Sequence, residues 1–90
     1  MRNELLYAKE AAKIIRALSA TERERLGPQI ERLADDPALG KQLTGPLSGL
    51  RSLRVGTYRV IYQHFPAERR IIILTLGHRK DIYKKTRRKK

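Results

Sequence analysis

Between Leu50 and Gly77 the chain carries three apolar-rich runs set apart by hairpin-length spacers, and no other feature restricts the fold as much. The runs are "LRSLRVG" (Leu50 to Gly56), "TYRVIYQHF" (Thr57 to Phe65) and "RIIILTLG" (Arg70 to Gly77). β-Branched and aromatic residues dominate them, and only Gly56-Thr57 and Pro66-Ala67-Glu68-Arg69 lie at the two joins. Spacers that short close antiparallel hairpins, so the spacing predicts a three-stranded meander.

The segment before the meander is helical in pattern. In "KEAAKIIRAL" (Lys9 to Leu18), Ala11, Ile14, Ile15 and Leu18 recur at helical spacing and form one apolar stripe. Ser19 stands three residues before Glu22, the spacing of a capping box, and a second helix is expected to run through Leu26, Ile30 and Leu33 toward Asp36-Pro37. Gly27-Pro28 falls inside it, where a proline removes a backbone hydrogen bond and predicts a kink or break. A brief strand is expected at Leu5 to Tyr7. The Gly- and Pro-rich stretch "ALGKQLTGPLSGL" reads as a loop. The resulting fold class is α+β: a short N-terminal strand, a two-helix hairpin, a three-stranded antiparallel meander and a basic C-terminal tail. Residues 1–83 are read as one domain and 84–90 as a flexible basic tail.

Charge narrows the function. The formal net charge is +12, and residues 79–90 hold eight Lys or Arg against one Asp, a net +7 that leaves +5 elsewhere. Seven of the nine acids lie at or before Asp36, whereas Pro37 to Ala67 contains Lys41, Arg51, Arg54 and Arg59 and no acid. A cationic surface segregated in this way suits a polyanion or an acidic protein partner. With no cysteine there is neither a disulfide nor a thiolate site, and with no long apolar run a soluble cytoplasmic chain is expected, without membrane contact.

Strand alternation sorts the candidate groups. Tyr58, Val60, Tyr62 and His64 share one face, which Val60 and the tyrosines mark as the face toward the helices; Arg59 then projects from the other. Arg54 and Arg51 have opposite parity, so a regular strand puts one of them beside Arg59. Arg54, nearest the turn, is the favoured one. Arg79 follows the third strand and Tyr83 follows it closely, whereas parity turns His78 away from Arg79. Clustered arginines can hold a phosphodiester bidentately and stabilise the charge of a phosphorane. A tyrosine in their field can serve as the base for a 2′-OH.

The series "KQLTGPLSGLRSLRVGTYRVIYQ" followed by "IIILTLGHRKDIYKK" resembles the RelE/ParE superfamily of toxins from toxin–antitoxin modules. The likeness spans nearly the whole chain, from the amphipathic helices and "LADDP" to the "GHRxxxY" close. It implies a helical hairpin on a small antiparallel sheet. For the RelE branch it implies cofactor- and metal-free cleavage of messenger RNA on the ribosome, and it places catalytic roles at Arg59, Arg79 and Tyr83, with Arg54 as a further basic position. Arg59 would stabilise the phosphorane, Arg79 would protonate or stabilise the leaving group, and Tyr83 would act at the 2′-OH. Lys41, Arg51, Lys80, Lys84 and Lys85 are expected to grip RNA. Leu50 and Ser52 stand where the RelE pattern has paired lysines. The expected partners are an acidic, RelB-like antitoxin and the ribosome with its messenger. The ParE branch, which acts on DNA gyrase, and a plain basic RNA-binding module are the alternatives.

Overall fold

In a computed structural model, residues 2–78 are described, and they form one five-stranded sheet with two helices packed on it. Strand β1 (Glu4–Tyr7) leads into α1 (Lys9–Ala17) and α2 (Ala20–Arg32). Then come β2 (Lys41–Gln42), β3 (Arg51–Val55), β4 (Tyr58–Phe65) and β5 (Arg70–His78). The spatial order is β1-β5-β4-β3-β2. Strand β1 lies parallel to β5, an arrangement the intervening helices allow, and every other pair is antiparallel.

The expected meander is present with nearly the expected bounds. Gly56 takes the left-handed conformation (φ 61°) that its two-residue turn demands and that a side chain would resist. Two expectations need correction. The Gly/Pro stretch is not only loop: it contributes β2 as an added edge strand, flanked by 3₁₀ turns at Pro37–Leu39 and Gly45–Leu47. Two residues of strand carry too short an alternation to be seen in sequence. Nor does α2 break at Gly27-Pro28; it runs through Pro28, with Leu26 and Ile30 buried on either side of the proline. That burial, at roughly 1.5–3 kcal/mol per apolar side chain, is of the size needed to offset the ~3 kcal/mol a mid-helix proline costs.

Local chemistry explains the helix starts and the core. Ser19 caps α2: its hydroxyl accepts from the Glu22 N–H (3.1 Å) while the Glu22 carboxylate accepts from the Ser19 N–H (3.0 Å). Ala11, Leu26, Ile30 and Leu33 from the helical side meet Leu53, Val55, Val60, Tyr62, Ile71, Ile73 and Leu76 from the sheet. In β5 the register slips by one at Leu74, between the pairs Tyr62↔Ile73 and Ile61↔Thr75. This bulge lets both Ile73 and Leu76 reach the core although three positions separate them.

Candidate functional site

The β3–β4 hairpin places two arginines directly opposite each other. Leu53↔Val60 and Val55↔Tyr58 flank the pair Arg54↔Arg59 in register. The flanking residues pack into or against the core, so the two arginines stand together on the sheet face turned away from the helices. Like charges directly opposed weaken a sheet by a few tenths to about 1 kcal/mol, a cost that a bound anion would reverse. The guanidinium of Arg59 also lies 3.5 Å from the hydroxyl of buried Ser52, at the outer limit of a hydrogen bond. Ser52 thus occupies one of the positions where the resemblance would put a lysine, and there it serves as a neighbour of Arg59.

Next to Arg59 runs an open groove of about 590 Å³. Arg59 and Lys41 line it together with Gln42, Leu43, Thr44, Pro46 and Leu47, that is, with β2 and the turn that follows. Lys41 pairs with Ser52 in register and so falls on the same face as Arg54 and Arg59. The groove wall from Gln42 to Leu47 did not stand out in the sequence. Its only signal was the Gly45-Pro46 turn, which marks a loop without saying what the loop covers.

Arg51 goes elsewhere. It pairs with Tyr62, on the face toward the helices, and its guanidinium donates to the Gly40 carbonyl at 2.7 Å. The Tyr62 hydroxyl accepts from the Gly40 N–H (2.9 Å) and donates to the Pro37 carbonyl (2.6 Å). Gly40 is required here by close approach, because a Cβ would sit 2.5 Å from the Tyr62 hydroxyl oxygen. The clamp of Arg51, Tyr62 and Gly40 therefore fixes the backbone that leads into Lys41 and the groove. Arg51 sets the wall without sharing the Arg54 and Arg59 face.

At the far end of the same hairpin, Tyr58 pairs with His78, and their rings stack at 4.7 Å and 30°. The Tyr58 hydroxyl donates to the Glu22 carboxylate at 2.7 Å, tying α2 to the start of β4. That hydrogen bond pushes the Tyr58 phenol up and holds the Glu22 carboxyl below its ordinary value. Burial pushes Tyr62 up as well, and likewise Tyr7. Arg79, Lys80, Tyr83, Lys84 and Lys85 lie outside the described residues. Among the described residues, no group of acids and histidines has the arrangement of a metal site, and no helix is long and apolar enough to cross a membrane.

Comparison with known proteins gives this geometry a context. The family model described as the ParE toxin of the type II toxin–antitoxin system parDE matches residues 5–83. Toxin RelG of Mycobacterium tuberculosis is 40% identical over 47 residues, covering 52% of this chain and 54% of RelG. The chain thus spans about half the length of that curated relative. Among solved structures, the toxin–antitoxin complex RelBE2 of M. tuberculosis contains a chain with TM-score 0.79 and 24% identity; the match covers 87% of this chain and 99% of that one. In the archaeal RelE–RelB complex of Pyrococcus horikoshii the corresponding values are 0.70 and 27%, over 88% and 97%. These likenesses establish the fold of a helical pair on a RelE-like sheet.

Proposed function

The chain belongs to the ParE toxin family of type II toxin–antitoxin systems, within the RelE/ParE superfamily, and on that premise we propose that it is a metal-independent endoribonuclease cutting messenger RNA on the ribosome. The direct opposition of Arg54 and Arg59 beside a groove lined by Lys41 carries this reading. Two guanidinium groups on one sheet face offer bidentate donors to a phosphodiester and to the extra charge of its phosphorane.

In the proposed reaction the 2′-oxygen of a ribose forms a bond to its own 3′-phosphorus while the P–O5′ bond breaks. The products are a 2′,3′-cyclic phosphate and a free 5′-hydroxyl. Arg59 stabilises the phosphorane with support from Arg54. Arg79 stabilises the departing O5′, which takes its proton from solvent because a guanidinium is too basic to give one up. Tyr83 accepts the 2′-OH proton. The resemblance to the superfamily gives that task to Tyr83, and Tyr58 and Tyr62 do not compete for it, since both lie on the helix side of the hairpin, away from Arg59.

Lys80, Lys84 and Lys85 add a grip on RNA from the basic end of the chain, where salt should weaken binding. The proposed partner is an acidic antitoxin that covers the cationic face; the net charge of +12 and the segregation of acids before Asp36 support it. A second reading, inhibition of DNA gyrase, is favoured by the ParE description of the matching family.

Mapping of messenger 5′ ends after induction, with translation running and with translation blocked, tests the proposal. Cleavage within translated codons that disappears in Arg59→Ala and in Tyr83→Phe is expected. Intact messengers together with induced DNA damage would overturn the RNA reading in favour of gyrase.

A further inference from the structure

We propose that the groove beside Arg59 is a subsite for one unpaired nucleobase of single-stranded RNA, the base next to the phosphate held by Arg59 and Lys41. The inference rests on the RNA reading above and deepens it by naming what the groove receives.

The wall of the groove has two parts of different chemistry. Arg59 and Lys41 bring positive charge at the sheet, and Leu43, Pro46 and Leu47 bring apolar surface from the turn above it. A nucleotide is divided in the same way, with an anionic phosphate at one end and a base whose faces are apolar at the other. Proteins that bind single strands commonly pair a cationic track with flat or apolar side chains against which bases stack. The Thr44 hydroxyl also lines the groove and, among the described residues, has no hydrogen-bond partner, so an edge group of the base can use it. At about 590 Å³ and open along one side, the groove admits a base without unfolding the turn.

The occupant is chosen by complementarity. An acidic peptide would meet the two cations but would leave Leu43, Pro46 and Leu47 facing carboxylates, whereas a nucleotide satisfies both parts. The wall is also held for the purpose: the clamp of Tyr62 and Arg51 on Gly40 fixes the chain one residue before Lys41. A fixed wall loses little entropy when the base arrives.

The test uses a short single-stranded RNA made uncleavable by 2′-O-methylation, and the same strand with abasic linkers in place of its bases. The chain contains no tryptophan, so Leu47→Trp places a single tryptophan in the wall, which can be excited apart from the four tyrosines. Titration of Leu47→Trp with the methylated RNA should quench this fluorophore and tighten binding, since base–aromatic stacking exceeds what Leu offers. Leu47→Asp should weaken binding at least tenfold, and the abasic strand should bind wild type about tenfold more weakly than its parent.

The subsite is overturned if the abasic strand binds as tightly as the parent, or if neither Leu47 variant changes RNA affinity. It is also overturned if Leu47→Asp weakens only the capture of an acidic protein partner. The readout needs no cleavage, so the two proposals fail separately. If the Leu47→Trp variant quenches and the wild type binds RNA as expected but leaves messengers intact, the subsite stands and the nuclease is lost. One that cuts messengers while Leu47→Asp binds RNA normally keeps the nuclease and loses the subsite.

Discussion

On the helix side of the β3–β4 hairpin, polar groups find partners within the fold. Tyr62 satisfies both Gly40 and Pro37, Arg51 takes the Gly40 carbonyl, and Tyr58 takes Glu22. On the other face, Arg54 opposes Arg59 and Lys41 stands on the same side, a concentration of like charge that no folding argument requires. The same two strands thus carry an interior of matched polar groups and an exterior on which cations are gathered. The contrast teaches where to look for function: a fold matches its polar groups wherever it can, and a cluster of like charge kept against that tendency is suited to a ligand of opposite sign.

The sharpest way to break this comparison is to cross the two faces with two measurements. Arg59→Ala should lower messenger cleavage by 10²-fold or more, the scale of removing one donor from a developing anion. Stability should be almost unaffected by Arg54→Ala, or should rise by up to about 1 kcal/mol as repulsion is relieved. Denaturant unfolding followed beside a ribosome-programmed cleavage assay checks both. If Arg54→Ala instead destabilises the fold strongly, the arginine pair belongs to the interior scheme and not to a site.

The reverse pattern is expected on the helix side. Gly40→Ala forces a Cβ to within 2.5 Å of the oxygen of a fully buried tyrosine, and overpacking of that kind costs about 2–3 kcal/mol. Tyr62→Phe leaves the Gly40 N–H and the Pro37 carbonyl without their partner and should cost about 1–3 kcal/mol. Because both changes strike one contact, the double variant should fall short of the sum of the singles. Full additivity in urea unfolding would show that the clamp is not one unit.

Much of this division was legible in sequence, and the parts that were not have physical reasons. Alternation along Tyr58–Phe65 put Val60 and Tyr62 inward and Arg59 outward, but it also put Ile61 on the open face, whereas Ile61 is fully buried and the middle of the strand is covered on both sides. The choice of Arg54 over Arg51 as the neighbour of Arg59 followed from turn length and agrees with the register. Tertiary partners stayed hidden. Nothing local says that Gly40 will lie against Tyr62, 22 positions away, or that Glu22, read as half of a capping box, also accepts from Tyr58, 36 positions away. Strand β2 was missed because two residues have no period. The chemistry expected of Arg79 and Tyr83 came from resemblance to a family, and those residues lie outside the described part of the chain.

The smallest effect concerns the link between α2 and the hairpin. The Glu22 carboxyl is held below its ordinary 4.5, first by the Tyr58 hydroxyl and then by the Ser19 backbone N–H, while Tyr58 is pushed above 10.0, first by the same hydrogen bond to Glu22. A carboxyl with a depressed folded value contributes stability that is present above its unfolded value and lost as pH falls through the folded one. A phenol with a raised folded value contributes stability that is complete below its unfolded value and lost as pH rises through the folded one. The link should therefore hold at full strength between the ordinary carboxylate and phenol ranges and fade on both sides. Solvent reaches both groups and screens the interaction, so the change is expected as a shallow shoulder in melting temperature and not as a collapse. Glu22→Gln keeps an acceptor for Tyr58 but has no proton to gain, so it should flatten the acid shoulder alone. Tyr58→Phe removes the hydroxyl and should flatten both shoulders. A wild-type shoulder that survives unchanged in Tyr58→Phe would mean that this hydrogen bond carries none of the pH dependence, and that α2 is held to the sheet by its apolar face alone.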